Sequence, residues 1–285
     1  MTAVIPPVSQ VSENVWRILG CNPSFYTLQG TNVYLVGKGE ERIQIDAGPW
    51  GEGEFIQNFR KYVRQRKVII KHLIVTHWHF DHIGALGELI PVFKELCGEL
   101  PKVYKFEDTG MGIPDEYEAI PLKDGQVLSI SGVTLKIIHT PGHTRDHASI
   151  HFLEENVMFS GDTILGEGTC VYEDLSSYMK SLEKIRSCKP LKIFPAHGPI
   201  NHDGKARIDY YITHHATREQ KVLDCLNEVA PMSLSVSDIV KKIYSGLTPS
   251  RQNDGREGIQ HHIKKLLREG RIKELRGKYY IDEGY

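Results

Sequence analysis

Residues 76 to 82 read THWHFDH, three histidines and an aspartate directly after the apolar run LIV. One histidine beside a strand is ordinarily a satisfied structural group. Four ligand-type side chains at such close spacing ask for a shared purpose. In an extended or looping segment His77 and His79 lie on the same side and can reach one metal. Asp81 and His82, at the start of a following helix, can face a second. More ligand-type residues close three other strand-like runs: His143 in KIIHTPGHT, Asp162 in FSGD and His197 in KIFPAHG. Chance crowding in one heptapeptide does not supply three further ligands at strand ends. The set divides into His77, His79 and His143 around one metal and Asp81, His82 and His197 around another. The two carboxylate oxygens of Asp162 suit it to bridge them. Imidazole and carboxylate without thiolate point to Zn²⁺, with Mn²⁺ and Fe²⁺ also compatible. Three histidines on one metal leave a position for water, which is the catalytic arrangement.

Such a site needs strands that deliver their C-terminal loops to one edge. NVWRIL (14–19), TNVYLV (31–36), RIQIDA (42–47) and HLIVT (72–76) read as strands, and Phe55, Phe59 and Val63 recur at helical spacing within 52–66. A helix is expected over 83–97, interrupted at Pro91. A second round follows, with strands TLKIIHT (134–140), ASIHFL (148–153) and NVMFSGD (156–162), a helix over 175–188, and the strand KIFPAHG (192–198). Two batches of strands with interspersed helices imply an α/β fold of two packed sheets covered by helices. A long helix from Gly204 leads away from this body, so the expected segments are 1–203, a connecting helix 204–230, and a terminal module 231–285. In that module SVSDIVKKIY, EGIQHHIKKLLREGRI and KELRGKYYI read as helix, helix and hairpin, a winged-helix-like order. Ser237 and Asp238 are expected to cap the first of these helices and Gly270 to stop the second.

Composition sets the bounds. A chain of 285 residues with 40% hydrophobic and 25% charged residues is long enough for about two domains and a substantial core. No run is long and apolar enough to suggest a membrane span, and the N-terminus lacks a signal-peptide or Arg-rich presequence pattern. Five scattered cysteines without a Cys-x-x-Cys pair suggest a reducing compartment and no disulfide framework. Net charge is −1, yet residues 231–285 carry 11 Lys+Arg against 7 Asp+Glu, a balance of +4. The remaining 24 against 29 give −5. A basic terminal module points to a polyanionic partner, and an ordinary solvated surface is the competing reading.

His-x-His-x-Asp-His after an apolar strand, followed in order by PGHT, SGDT and PAHG, resembles the metallo-β-lactamase-fold hydrolases over residues 12 to 200. The resemblance implies an αββα sandwich with two metals at the sheet edge. It also gives Asp46, in IDAG, the role of supporting a metal-binding histidine from behind. Where a glycine commonly precedes the last histidine of the pattern, Ala196 stands here. ILGCNPSFYTLQGTNVYLVG, GDTILGEGT and the terminal module are similar to a branch of the family made of mitochondrial, zinc-dependent endoribonucleases acting on single-stranded RNA. That resemblance implies two Zn²⁺ per chain, an RNA substrate and a mitochondrial matrix address, with a cytosolic one the alternative. Monomer and homodimer both stay open.

The expected chemistry is in-line attack on a phosphodiester by a water whose pKa is lowered between two metals, with Asp81 orienting it. Gly30, Thr31, Asn32 and Arg145 are candidates for holding phosphate, and Lys264, Lys265 and Arg268 for holding the RNA backbone. A thioesterase or lactone hydrolase of the glyoxalase II type would use the same metals on an acyl carbon. A binding module with an inactive metal domain is disfavoured because every ligand position is filled. Among the other histidines, His147 is within reach of the site, with a structural role as the alternative. His214-His215 and His261-His262 diverge on helices. Tyr210 and Tyr211 are expected to pack rather than to stack on bases.

Overall fold

The β-branched and aromatic runs of the first two hundred residues become strands. VWRIL, NVYLV and ERIQI form β2 (Val15–Leu19), β3 (Asn32–Val36) and β4 (Glu41–Ile45). The computed structural model describes residues 3–107, 112–246 and 248–281. With β1 (Val8–Gln10), β5 (Ile69–Ile74), β6 (Lys102–Lys105) and β7 (Ala119–Pro121) these strands make a seven-stranded sheet ordered β1-β2-β3-β4-β5-β6-β7. A second sheet is ordered β12-β11-β10-β9-β8, from β8 (Val127–Ile130), β9 (Val133–His139), β10 (Ala148–Phe152), β11 (Val157–Gly161) and β12 (Lys192–Pro195).

Period-two alternation sorts the side chains of these strands between two faces. Tyr34, Val36, Ile43 and Ile45 of the first sheet meet Leu135, Ile137, Phe152, Phe159 and Phe194 of the second in one buried cluster. On the other face of the first sheet, Ile18, Leu35 and Leu73 lie under Phe55, Phe59 and Val63 of α1 (Gly53–Arg66) and Leu89 and Phe93 of α3 (Leu86–Leu96), which follows the single turn α2 (Phe80–Ile83). Each large side chain so buried contributes roughly 1.5–3 kcal/mol. α4 (Leu175–Ser187) buries Leu175, Tyr178, Leu182 and Ile185 and reaches the second sheet's side, its Ser181 hydroxyl donating to the Pro141 carbonyl at 2.7 Å. The result is the αββα sandwich.

Strand direction assembles the site. β4 and β5 are parallel, with Ile45 opposite Ile74, so Asp46 and Thr76–His82 leave the first sheet together. β9 and β11 are both antiparallel to β10, and β12 is parallel to β11. The segments that follow these three strands therefore leave the second sheet at one edge too. The two edges are joined: the Asn32 amide donates to the Ala196 carbonyl at 2.7 Å, and Thr31 bridges to His197.

The chain divides into two compact units, Met1–Glu173 with Ser177–Ile208, and Asp174–Ser176 with Asp209–Tyr285. The second unit contains most of α5 (Gly204–Asn227), then α6 (Val236–Ile243), α7 (Pro249–Arg268) and the hairpin β13 (Lys273–Leu275) and β14 (Lys278–Tyr280). The last turns of α5 pack into this unit's core, where Val222, Leu223 and Leu226 join Ile239, Ile259, Ile263 and Leu266. Residues 282–285 of the expected terminal module lie outside the described residues. The cap of α6 is Ser235, not Ser237: its hydroxyl accepts from the Asp238 amide while the Asp238 carboxylate accepts from the Ser235 amide. α7 starts at Pro249, well before Glu257, with proline in the first turn where its missing N–H costs nothing. Pro91 does not interrupt α3; the break falls at Gly84-Ala85, ahead of the helix. No helix among the described residues is long and apolar enough to cross a membrane.

Candidate metal centre

Seven side chains from four strand ends converge in two groups, His77, His79, His143 and Asp162 in one and Asp81, His82 and His197 in the other. In the first, His77 Nε2, His79 Nδ1 and His143 Nε2 stand 2.9, 3.0 and 3.2 Å from one another. Ligands at 2.0–2.1 Å around a tetrahedral ion sit roughly 3.3 Å apart, so the triangle is close to metal geometry. The outer nitrogens point to the same conclusion. His143 Nδ1–H donates to the Val171 carbonyl at 2.6 Å. The Thr76 hydroxyl donates to Asp46 and so accepts from His77 Nδ1–H at 3.0 Å. Both rings are thereby fixed in the tautomer that turns a lone pair inward. Lone pairs gathered this closely repel unless a cation lies between them.

In the second group, Asp81 Oδ2 is 3.2 Å from His82 Nε2 and 3.3 Å from His197 Nε2. His82 Nδ1–H donates to Asp46 Oδ2 at 2.8 Å, again turning Nε2 inward, where it is buried and finds no hydrogen-bond partner. Asp162 faces both groups. Its Oδ1 is 3.2 Å from His197 Nε2 and 3.6 Å from that of His82, while Oδ2 is 3.4 Å from His143 Nε2 and 3.8 Å from His77 Nε2. One carboxylate oxygen per group is the geometry of a bridge.

Burial and charge set the protonation. Burial holds the His77 imidazole far below its ordinary range and pushes His79 down to about 4, with neighbouring histidines adding to both. Burial alone would raise the carboxyls of Asp81 and Asp162, but the imidazoles of His82 and His197 hold both well below the carboxylate range. Burial also lowers His82 and His197; for His82 the carboxylates of Asp81, Asp46 and Asp162 outweigh it, and for His197 Asp162 and Asp81 leave the ring at about 9. Two ionised carboxylates with the neutral imidazoles of His77 and His79 make a donor set that fits divalent cations, and a cation at the second group would take the place of the protons that His82 and His197 hold.

Asp46 sits where the IDAG motif was expected to place it, behind His82. Its backbone is left-handed (φ 64°), a strained conformation that asparagine and aspartate tolerate best. Its carboxylate answers with contacts to the Thr76 amide at 2.7 Å, the Thr76 hydroxyl and His82. Thr76 is thus a joint between two ligands, and nothing in its sequence context marks it. His147 takes the structural role: its Nε2 accepts from the Asp162 amide at 3.0 Å, and its Nδ1 meets the Thr140 hydroxyl at 2.9 Å. Gly161 leaves room for that ring, since a Cβ there would lie 2.4 Å from Nε2. The loop carrying His143 is held by a buried ion pair, Lys105 Nζ to Asp146 at 2.7 Å, and by the Thr144 hydroxyl donating to Asp146 at 2.7 Å.

The proposed phosphate contacts are placed differently from expectation. Asn32 is interior, its amide donating to the Pro195 and Gly198 carbonyls at 2.9 Å each, so it is bound to the fold and out of a phosphate's reach. Gly30 and Thr31 are buried as well. The Thr31 hydroxyl accepts from Asn22 at 3.1 Å and donates to Asp81 Oδ2 at 2.8 Å, positioning a ligand and not a substrate. Arg145 is exposed, two residues beyond His143. In the second unit, Lys265 is held by Glu219 at 2.7 Å and Glu269 at 2.9 Å, and Arg268 pairs with Asp174. Two of the three cations expected to hold RNA are answered within their own unit, and Lys264 is exposed. Two exposed apolar groups lie close to the site in sequence and were unforeseen: Phe80, between His79 and Asp81, is 62% exposed, and Trp50, four residues after Asp46, is 73% exposed.

The model of the metallo-beta-lactamase superfamily matches residues 26–197. A beta-lactamase-like protein 2 homolog of Drosophila melanogaster is 39% identical over 276 residues, covering 95% of this chain and 94% of that one. A Cryptosporiopsis protein named atrochrysone carboxyl ACP thioesterase is 36% identical over 230 residues, covering 80% of this chain and 68% of that one. Among solved structures, a beta-lactamase domain protein of Burkholderia ambifaria superposes with a TM-score of 0.77 at 17% identity, over 96% of this chain and 93% of that one, a likeness of fold alone. With its four ligand-bearing loops and a matched span that ends on His197, the chain belongs to the metallo-beta-lactamase superfamily.

Proposed function

We propose that the chain holds two Zn²⁺ and cleaves single-stranded RNA phosphodiesters as an endoribonuclease. The observation that carries the two-metal reading is Asp162, whose oxygens face separate ligand groups. Bound divalent metals would supply Lewis acidity and water activation near neutral pH. The chain's own residues do the positioning. Asp46, Thr76 and Val171 fix imidazole tautomers, and His147 holds the Asp162 backbone. Asp81 is ionised and the Thr31 hydroxyl steadies it from behind; its side chain remains 24% exposed, so its carboxylate can also accept a hydrogen bond from the attacking water. None of the seven ligands is a nucleophile of the serine or cysteine kind, which suits hydrolysis by water.

Support for RNA over a small acyl substrate comes from the second unit, with exposed cations such as Lys264 and Lys278, and from the exposed rings of Phe80 and Trp50, which suit flat bases. The resemblance drawn from the sequence extends the reading to a mitochondrial compartment, which imaging of the tagged full-length chain tests. A thioesterase reading is favoured by one observation, the likeness to the protein named an acyl carrier thioesterase. Metal-analysed protein incubated with labelled single-stranded RNA, and in parallel with an acyl-glutathione thioester, separates the two. RNA fragments that disappear with Asp81→Ala support the first; thioester turnover with intact RNA supports the second and refutes the first.

A further inference from the structure

The second unit carries a groove of about 490 Å³ between one face of α5 and the end of α6. Tyr210, His214, Thr217, Arg218 and Lys221 line it from α5, at spacings that share one helix face, and Tyr244 lines it opposite. The rings of Tyr210 and His214 lie nearly parallel, 6.1 Å apart at 29°. Tyr210 is 49% exposed, whereas Tyr211 beside it is fully buried. The packing role expected of both tyrosines therefore falls to Tyr211 alone. Tyr244 rests against α7 at Gly255, where a Cβ would come 2.4 Å from the ring. Glycine is unfavourable inside a helix; here it gives the ring its seat.

The charges differ from those on α7. Glu219 is answered by Lys265 and Arg271, but neither Arg218 nor Lys221 has a carboxylate partner among the described residues. Asp209 lines the groove at the start of this α5 row, so the part that attracts anions is toward Arg218 and Lys221. Aromatic faces beside unpaired cations are what an unstacked nucleic-acid strand requires: π-surfaces for bases and positive charge for the backbone. A duplex, its bases already stacked, gains nothing from the rings.

We infer that this groove on α5 is a binding site for single-stranded RNA, with a base stacked on Tyr210 and backbone phosphate on Arg218 and Lys221. The inference rests on the RNA reading above and shifts the backbone contacts from α7 to α5. The test is fluorescence anisotropy of a labelled single-stranded oligoribonucleotide on the full chain, in an Asp81→Ala background, at several salt concentrations. Arg218→Ala with Lys221→Ala should weaken binding and flatten the log–log salt slope by about 1.4, at roughly 0.7 per phosphate. Tyr210→Leu should weaken binding by about five- to a hundredfold, the worth of one stacked base. Tyr210→Phe should bind as the parent does, and RNA duplex should be indifferent to Tyr210. Metal content should be unchanged in every variant.

Parent-like affinity and slope in the cation double variant and in Tyr210→Leu would overturn the groove. Lys221→Glu, at an exposed position, tests the same phosphate contact without disturbing packing. If the parent binds RNA and the wild-type chain does not cleave it, the groove stands and the endoribonuclease reading falls. If cleavage proceeds and the variants bind normally, the groove falls alone. A parent that fails to bind RNA overturns both.

Discussion

Replacing Asp46 by asparagine tests whether a residue that touches no metal sets the affinity of the second site. The Asp46 carboxylate accepts from the Thr76 amide at 2.7 Å and from His82 Nδ1–H at 2.8 Å. Asparagine is isosteric and tolerates the left-handed backbone at this position, so the fold should persist. One of its two polar atoms, however, can only donate. The buried Thr76 N–H needs an acceptor, so the remaining oxygen turns to it and the NH₂ faces His82 Nδ1. Two donors cannot share a hydrogen bond. The neutral His82 ring then keeps its one proton on Nε2, the atom that faces Asp81 and Asp162, so the lone pair a cation needs is turned away from the site. Loss of such a supporting partner typically costs 10–100-fold in metal affinity, about 1.4–2.7 kcal/mol. Competition of metal-free protein with a chromophoric zinc chelator reads each binding step. The expected result is one step weakened by that amount and the other unchanged. Two steps at wild-type affinity, or two equally weakened, would refute the reasoning.

Thr31→Val removes the hydroxyl that steadies Asp81 while keeping the buried shape; kcat should fall about tenfold with metal content intact, the worth of one hydrogen bond to a charged group. Unaltered kcat would remove Thr31 from the machinery. Lys105→Met leaves the Asp146 carboxylate buried without its partner and should lower unfolding stability by about 3–5 kcal/mol in urea titrations. A negligible loss would show that the pair does not hold the His143 loop. Burial shifts Glu219 upward, but the nearby His262 ring and the cations Lys265 and Arg271, which donate to its carboxylate at 2.7 and 2.6 Å, pull it further downward, to about 2. Its folded value lies below its unfolded one, so its contribution is full above pH 4.5 and fades as pH falls toward about 2. Glu219→Gln should therefore flatten the acid-side loss of stability in that window, and an identical pH profile would contradict the assignment.

The ligand set was legible because each member lies in a short motif at the end of a strand, where identity and position are both local. Its supports were not. Thr76 and His147 act through contacts between loops brought together by sheet pairing, and no sequence spacing records that Thr76 joins Asp46 to His77. Asn32 and Thr31 looked like phosphate ligands because small polar residues near glycine often are. The inward turn of Asn32 to carbonyls of the second sheet is a tertiary fact. β6 escaped notice because KVYK has charged ends, though Lys105 is buried against Asp146. β1, β7 and β8 are short and partly exposed, so apolar alternation is weak in them. Net charge suggested where a polyanion would bind, but charge counts do not see ion pairs, and Glu219, Glu269 and Asp174 answer the α7 cations.

Everything proposed for the reaction rests on Asp162 joining two metal positions in one chain. Native mass spectrometry of protein purified in zinc-containing buffer without chelator counts the ions on each folded molecule. Two zinc ions per chain are expected, with at least one lost from Asp162→Ala. A single ion or none on the wild-type chain, or two retained after Asp162→Ala, would contradict the bridging role.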